Sequence, residues 1–233
     1  MKHTFWIQAQ HSYTATETDG IDLRRYLKQH GREARRMSRF SQLVSAGTLP
    51  FNPSAESNIY LASPFSSPSK FTDTFSRLLN DNLPSPLDFM AALNNAATFQ
   101  TAQTLGCDGP SVFLLVSPHT YWQPLWLAVN DLLLHPRQTA LVGWAYERIR
   151  ADETQPEGSF WWQIGTTAGS NPSAEIIVDM QSKHFEEDAA ESAEKSGFLQ
   201  PVSQVFDVLA RKGQVILPCA GYPQNVRITV KTV

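Results

Sequence analysis

Residues 111–122 read SVFLLVSPHTYW and directly follow the turn-forming residues CDGP. The continuous apolar run SVFLLV predicts a strand that is buried on both faces, in the middle of a covered sheet. The strand runs into Ser117, and many α/β enzymes present a nucleophile at such a corner. What the chain does therefore depends on whether this corner carries catalytic groups.

Helical and strand patterns alternate on both sides of this strand. Apolar periodicity predicts helices in residues 21–47 (broken near Gly31), 70–81, 87–106, 121–136 and 198–213. Further strands are predicted at residues 58–63, 138–149, 159–168, 174–181, 215–221 and 225–233. We expect residues 159–168 and 174–181 to pair as an antiparallel hairpin, and the acidic residues 184–197 to be exposed. This order predicts an α/β fold with a mixed β-sheet covered by helices, in a single domain over residues 1–233.

Composition excludes several classes of protein. A net charge of −3 and a pI of about 6.1 give no reason to expect nucleic acid as a partner. The N-terminus lacks the apolar segment of a signal peptide, and no apolar run reaches the roughly 18 residues of a membrane span. Cys107 and Cys219 suggest neither a disulfide framework nor a metal site. We expect a cytoplasmic protein with no cofactor and no bound metal.

The sequence contains none of the motifs GxGxxG, HExxH, GxSxG and CxxC. Ser117 and His119 are then the only suggestive catalytic pair. In an extended segment the two side chains would point the same way, but Pro118 disturbs that geometry and withholds a backbone donor. Two interpretations stay open at this point. The chain is either a small acyl hydrolase or transferase that uses this pair, or Ser117 caps the following helix and His119 is a partly buried polar residue.

A basic segment lies near the start of the chain. Residues 24–39 hold seven of the nineteen Lys and Arg, against one Glu. Met37, Phe40 and Leu43 recur at helical spacing, so one helix face would pack while the other carries Arg32, Arg35, Arg36 and Arg39. That face is either solvated or a docking surface for an acidic partner.

The order of these elements resembles the N-terminal half of β-ketoacyl synthases, the condensing enzymes of the thiolase fold. The resemblance rests on the helix with Asn94, on Gly109-Pro110 before the apolar strand, on the corner with its apolar helix, and on ALVGWAYE at residues 140–147. It covers residues 32–147. The segment GREARRMSRFSQLVSAG also resembles the short chain-length-factor-type proteins of aryl polyene systems. The implied fold is half of a thiolase-like fold.

The corner departs from the pattern of that family. Alignment from Gly109-Pro110, or back from Glu147, places the family's catalytic Cys at Pro118 or His119, and one residue of slack gives Thr120. The small residues that usually surround it are replaced by Tyr121 and Trp122. The chain also ends where a condensing enzyme begins its second half, which carries two catalytic histidines. The resemblance therefore implies a noncatalytic, degenerate ketosynthase.

Such a protein is expected to work through a partner. The resemblance implies a heterodimer with a complete β-ketoacyl synthase, in which this chain walls the acyl tunnel during polyketide or fatty-acid-like chain elongation. An acyl carrier protein would be met through the complex, or held by the arginines if the chain is only a scaffold. The family's interface helix corresponds to SPLDFMAALNN, so the expected tunnel and interface residues are Phe89, Met90, Leu93, Asn94, Tyr121 and Trp122. The alternative for the first three is that they pack in the core or the interface.

Overall fold

One mixed β-sheet organises the residues that the computed structural model describes, which are 1–15, 22–82, 85–136, 138–150, 152–180, 197–218 and 226–233. Its strands are β1 Lys2–Ala15, β2 Asn58–Ser63, β3 Ser111–Leu115, β4 Thr139–Tyr146, β5 Glu157–Gly165, β6 Ala174–Asp179, β7 Gln214–Leu217 and β8 Arg227–Thr232. The sheet order is β3-β2-β4-β5-β1-β6-β8-β7. Strands β3, β2 and β4 run parallel and all the other pairs are antiparallel. The predicted mixed sheet is confirmed.

Helices cover both faces of this sheet. They are α1 Leu23–Gln29, α2 Arg39–Gly47, α3 Pro68–Asp81, α4 Pro86–Ala92, α5 Ala96–Leu105, α6 Gln123–Leu134 and α7 Gln200–Ala210. Because alternate strand residues point to opposite faces, Tyr60 and Ala62 of β2 pack in one cluster with α6 and α7. Ile59 and Leu61 pack in the other cluster, with α2 and α5. None of the helices in the described part of the chain is both long and apolar enough to cross a membrane.

The helix predicted for residues 87–106 is two helices, α4 and α5. Leu93 ends α4 in an extended conformation with ψ 140°, and Asn95 precedes the first residue of α5. The side chain of Asn competes with the helical backbone for hydrogen bonds, so a pair of Asn residues favours a break over continuation. The predicted end at Gly106 is confirmed, since Gly106 has φ +68°.

The hairpin predicted for residues 159–168 and 174–181 is wrong. Strand β1 lies between β5 and β6 and pairs antiparallel with both. Its polar stretch, which includes His11 and Ser12, gave little strand signal because strand propensity mostly reflects the packing of side chains on a half-buried surface. The acidic residues 184–197 lie largely outside the described residues, as does Cys219.

The central position predicted for SVFLLV is also wrong. Strand β3 lies at the edge of the sheet and pairs with β2 on one side. Its end residues Ser111 and Leu115 are exposed, and Leu115 retains 58% of its accessible surface. The apolar residues on both faces of β3 are therefore not explained by neighbouring strands on both sides within the described chain.

We predict that Gly143→Ala destabilises the fold. A Cβ at Gly143 in β4 would lie 2.5 Å from Cε3 of Trp161, its neighbour on β5. Overpacking of this kind costs about 1–3 kcal/mol, which denaturant unfolding would measure. Adding Trp161→Ala removes the clashing ring, so the double variant should lose less stability than the sum of the single losses. Additive losses would contradict this explanation.

Candidate functional site

The corner after β3 is a short 3-10 turn, Pro118–Thr120, that leads into α6. Thr120 Oγ1 accepts a hydrogen bond from the backbone N–H of Ser117 at 2.9 Å and lies 3.3 Å from the Ser117 hydroxyl. Ser117 and His119 are both exposed, and no hydrogen bond joins them in the described structure. The hydroxyls of Ser117 and Thr120 thus serve the local turn, and within the described residues no base is hydrogen-bonded to the Ser117 hydroxyl.

The next two residues fill the core behind the corner. Tyr121 is 5% and Trp122 3% exposed. The ring of Trp122 lies 5.1 Å from that of Trp144 and 6.2 Å from that of Trp162. Nε1 of Trp144 donates a hydrogen bond to the backbone carbonyl of Tyr121 at 2.9 Å. The structure therefore places Tyr121 and Trp122 in a buried aromatic cluster, apart from the other expected tunnel residues.

The thiol that the structure describes is not poised for catalysis. Cys107 is buried, and burial together with the nearby Asp108 raises its pKa. A nucleophilic thiolate needs the opposite shift. Within the described residues, no group of three or more His, Cys, Asp and Glu side chains could hold a metal ion.

An apolar groove of about 780 Å³ lies between α3, α4 and the edge strand β3. We call it the apolar groove and define it by Phe71, Phe75, Leu78, Phe89, Leu93 and Leu115. Of the expected tunnel residues, Phe89, Leu93 and Asn94 line it. Asn94 is held there by the hydroxyl of Ser66, which donates to its Oδ1 at 2.9 Å. Met90, one residue after Phe89, faces a different cavity.

Helix α3 contributes three of the six residues that define the apolar groove, although the sequence did not mark this helix as functional. Its large apolar side chains Phe71, Phe75, Leu78 and Leu79 are between 44% and 67% exposed. They recur at i, i+4, i+7 and i+8, which places them along one stripe of the helix. The rings of Phe71 and Phe75 stack with centroids 5.9 Å apart. Exposed apolar stripes of this kind are typical of interaction surfaces.

The four arginines of the basic segment do not share a helix face, so that prediction is wrong. Helix α2 begins at Arg39, because the hydroxyl of Ser38 caps it by accepting from the N–H of Ser41. Arg39 pairs with the buried Glu157, and Arg32 donates to the backbone carbonyl of Thr104 at 2.9 Å.

The other two arginines, Arg35 and Arg36, line a second cavity of about 1070 Å³ together with Arg24 and Met90. This second cavity lies on the other side of α4 from the apolar groove, and Leu93 lines both of them.

A buried carboxyl group ties α3 to the sheet. Glu147 follows β4 and is 1% exposed. It accepts hydrogen bonds from the N–H of Ser69 at 3.2 Å and from the hydroxyl of Ser67 at 3.3 Å, both at the start of α3. A carboxylate is favoured at a helix N-terminus, but burial raises the pKa of Glu147, as does the neighbouring Glu157.

Comparisons with known proteins support the fold. No family model and no curated protein matches the sequence. One similar structure is the ketosynthase ApeO in complex with its chain length factor ApeC from Xenorhabdus doucetiae, with 14% identity, a TM-score of 0.60, and coverage of 98% of this chain and 99% of that chain. Another is the type II polyketide synthase complex AntDE:AntF, an acyl-carrier protein with its ketosynthase bound to the hexaketide, with 10% identity, a TM-score of 0.70 and full coverage of both chains. A third is the ishigamide ketosynthase/chain length factor, with 14% identity, a TM-score of 0.57, and coverage of 82% of this chain and 72% of that chain.

These likenesses define the class of the fold. The chain has the α/β, thiolase-like fold of ketosynthases and chain length factors, which confirms the predicted fold class and the resemblance at the level of fold. At identities of 10–14% the comparison extends to architecture and no further.

We predict that Glu147 makes stability depend on pH. Its pKa is higher in the folded chain than in the unfolded one, so the folded state binds this proton more tightly, and the free energy of unfolding falls as pH rises through the interval between the two values. Glu147→Gln should lack this loss, so its stability relative to the wild type should increase from pH 5 to pH 8. Urea unfolding at both pH values measures the difference. Glu56→Gln, at an exposed position, is the control. If the free energy of unfolding of Glu147→Gln depends on pH as strongly as that of the wild type, the prediction is contradicted.

Proposed function

We propose that this chain, as a single domain over residues 1–233, is a noncatalytic chain-length factor that pairs with a complete β-ketoacyl synthase. In the pair it walls the acyl tunnel during acyl-carrier-dependent elongation of the aryl polyene, polyketide or fatty-acid-like type. The observation that carries the proposal is the unpaired edge of β3 with the apolar groove beside it. The fold shared with ketosynthase and chain length factor complexes supports it.

The surface has two properties that favour a protein partner. The outer edge of β3 presents backbone donors and acceptors that pair with no other strand in the described chain, and such an edge accepts a further strand. The flanking side chains of Phe75 and Phe89 are each more than half exposed. Covering them removes apolar surface from water at about 25 cal/mol per Å². Strand pairing and apolar burial therefore act at the same place.

The corner supports a noncatalytic role. The position that would carry a nucleophilic Cys falls on Pro118, His119 or Thr120, and none of these is a thiol. Tyr121 and Trp122, which stand where the family has small residues, are buried directly behind the corner. The rival acyl hydrolase would need Ser117 activated by His119, whereas the Ser117 hydroxyl lies against Thr120.

We predict a stable one-to-one complex when a tagged copy is co-expressed with a complete ketosynthase, whereas the chain alone self-associates through its exposed apolar surface. Phe75→Lys should weaken the complex by about 2 kcal/mol or more, roughly 30-fold, because interface residues near the centre dominate affinity. Leu134→Lys, on an apolar residue of α6 that is even more exposed (74% against 51% for Phe75), is the control. Pull-down and sizing chromatography measure both.

The hydrolase gives the opposite result in the same experiment. It would be an active monomer without a partner and would lose thioester cleavage in Ser117→Ala or His119→Ala. For a chain-length factor, both substitutions should leave elongation by the pair unchanged. A partner-free monomer with this activity would overturn the proposal.

We predict that the volume of the groove sets product length. Phe89→Ala should lengthen the products and Ala92→Phe should shorten them, because both side chains line the groove and its depth limits how many two-carbon units fit. Mass spectrometry of the carrier-bound chains measures the shift. The two substitutions control for one another, since a general defect in the complex would move both product lengths in the same direction.

A second candidate role is docking of the acidic acyl carrier protein. Arg24, Arg35 and Arg36 line the second cavity and form no ion pair within the described residues. The double substitution Arg35→Glu and Arg36→Glu should weaken carrier binding by about tenfold or more at low salt, and less at high salt because the attraction is screened. Arg211→Glu is the matched control on a distant exposed arginine. Carrier binding that is unaffected by the double substitution would rule out this role.

A further inference from the structure

The two helices that line the apolar groove are not fixed by the core. Helices α3 and α4 pack against each other and are here called the groove hairpin, and neither of them contains a buried residue. By contrast, every residue of α2 from Phe40 to Gly47 is buried. Packing defines a position through close contacts on all sides, so something other than the core must fix the position of the groove hairpin.

Asp88 provides such a fixed point. Its carboxylate on α4 accepts hydrogen bonds from Nζ of Lys70 and, at 2.8 Å, from Nη1 of Arg77, both on α3. The two cations are seven residues apart, which is about two turns, so they lie on the same side of α3. The hydrogen bond from Lys70 lowers the pKa of Asp88, so its carboxylate remains ionised at neutral pH. We call these three residues the Asp88 clasp.

The clasp holds the part of α4 that separates the two cavities. Phe89, the next residue, lines the apolar groove, whereas Asp88 and Met90 line the second cavity. Leu93 and Asn95 line both, so the cavities meet across the end of α4. A displacement of α4 away from α3 would therefore open the apolar groove toward the second cavity.

The start of α3 has a second anchor. Glu147 holds Ser67 and Ser69 at the start of the helix. Loss of the clasp would leave this contact in place. The groove hairpin would then loosen at α4 without leaving the surface.

We propose that Asp88 is a positioning residue which, through Lys70 and Arg77, fixes α4 as the end wall of the acyl tunnel and so determines the upper limit of product length. The inference rests on the proposed function, because it takes the apolar groove to be the tunnel end. It assigns chain-length control to an ion-paired carboxylate in addition to the apolar side chains that line the groove.

The test is Asp88→Asn in the co-expressed pair, which keeps the shape of the side chain and removes its charge. We expect the complex to form within about threefold of wild-type affinity, and the products to shift by at least one two-carbon unit toward longer chains with a broader distribution. Hydrogen exchange of the amides in residues 86–92 should be faster, while that of β4 is unchanged. Asp81→Asn, on an exposed acid of α3, is the matched control.

A second variant removes the same clasp from the other helix. The double variant Lys70→Gln and Arg77→Gln should give the same product shift as Asp88→Asn, and the triple variant should add nothing, because the three side chains act as one unit. An additive product shift in the triple variant would overturn the inference. Wild-type products from both Asp88→Asn and the double variant would also overturn it. Failure of the wild-type pair to form or to elongate chains would instead refute the proposed function, so the two failures are distinguishable.

Discussion

The unpaired outer edge of β3 is the constraint on which the rest of the structure depends. The strand is apolar on both faces, yet it pairs only with β2 in the described chain and its end at Leu115 is exposed. Edge strands are normally short, charged or covered, because an apolar edge invites association. In the proposed pair the conflict disappears, since a partner strand would place β3 inside a continuous sheet. Its sequence is then that of an interior strand of a complex.

Local patterns predicted the elements that depend on local interactions. The bounds of β2 and the end of α5 at Gly106 follow from apolar runs and a left-handed cap, which neighbouring residues determine. The place of β1 between β5 and β6 could not be predicted, because it depends on the pairing of residues more than 140 positions apart, such as Tyr13 with Ser159. Many of the side chains of β1 are polar and only half-buried, so its strand character comes mainly from the backbone ladder.

The candidate site divides in the same way. The resemblance implied Phe89, Leu93 and Asn94 at the tunnel, and the structure brings them to one groove. It also implied Tyr121 and Trp122, but the resemblance fixes only the path of the backbone, and the direction of both rings is decided by Trp144 and Trp162 on distant strands. The stripe on α3 was visible as a helical period. A stripe that packs in the core and one that faces a partner have the same period, so sequence alone could not separate them.

In the proposed function, the corner and the groove act through their shape and not through catalysis. At the corner, where a condensing enzyme needs space and an activated thiol, large aromatic side chains fill the core. At the sheet edge, the apolar volume is bounded by two helices with no buried residue. A wall that limits a growing chain has to resist displacement, and packing does not provide that resistance here. We infer that polar contacts provide it instead, from Glu147 to the start of α3 and from Asp88 on α4 to Lys70 and Arg77.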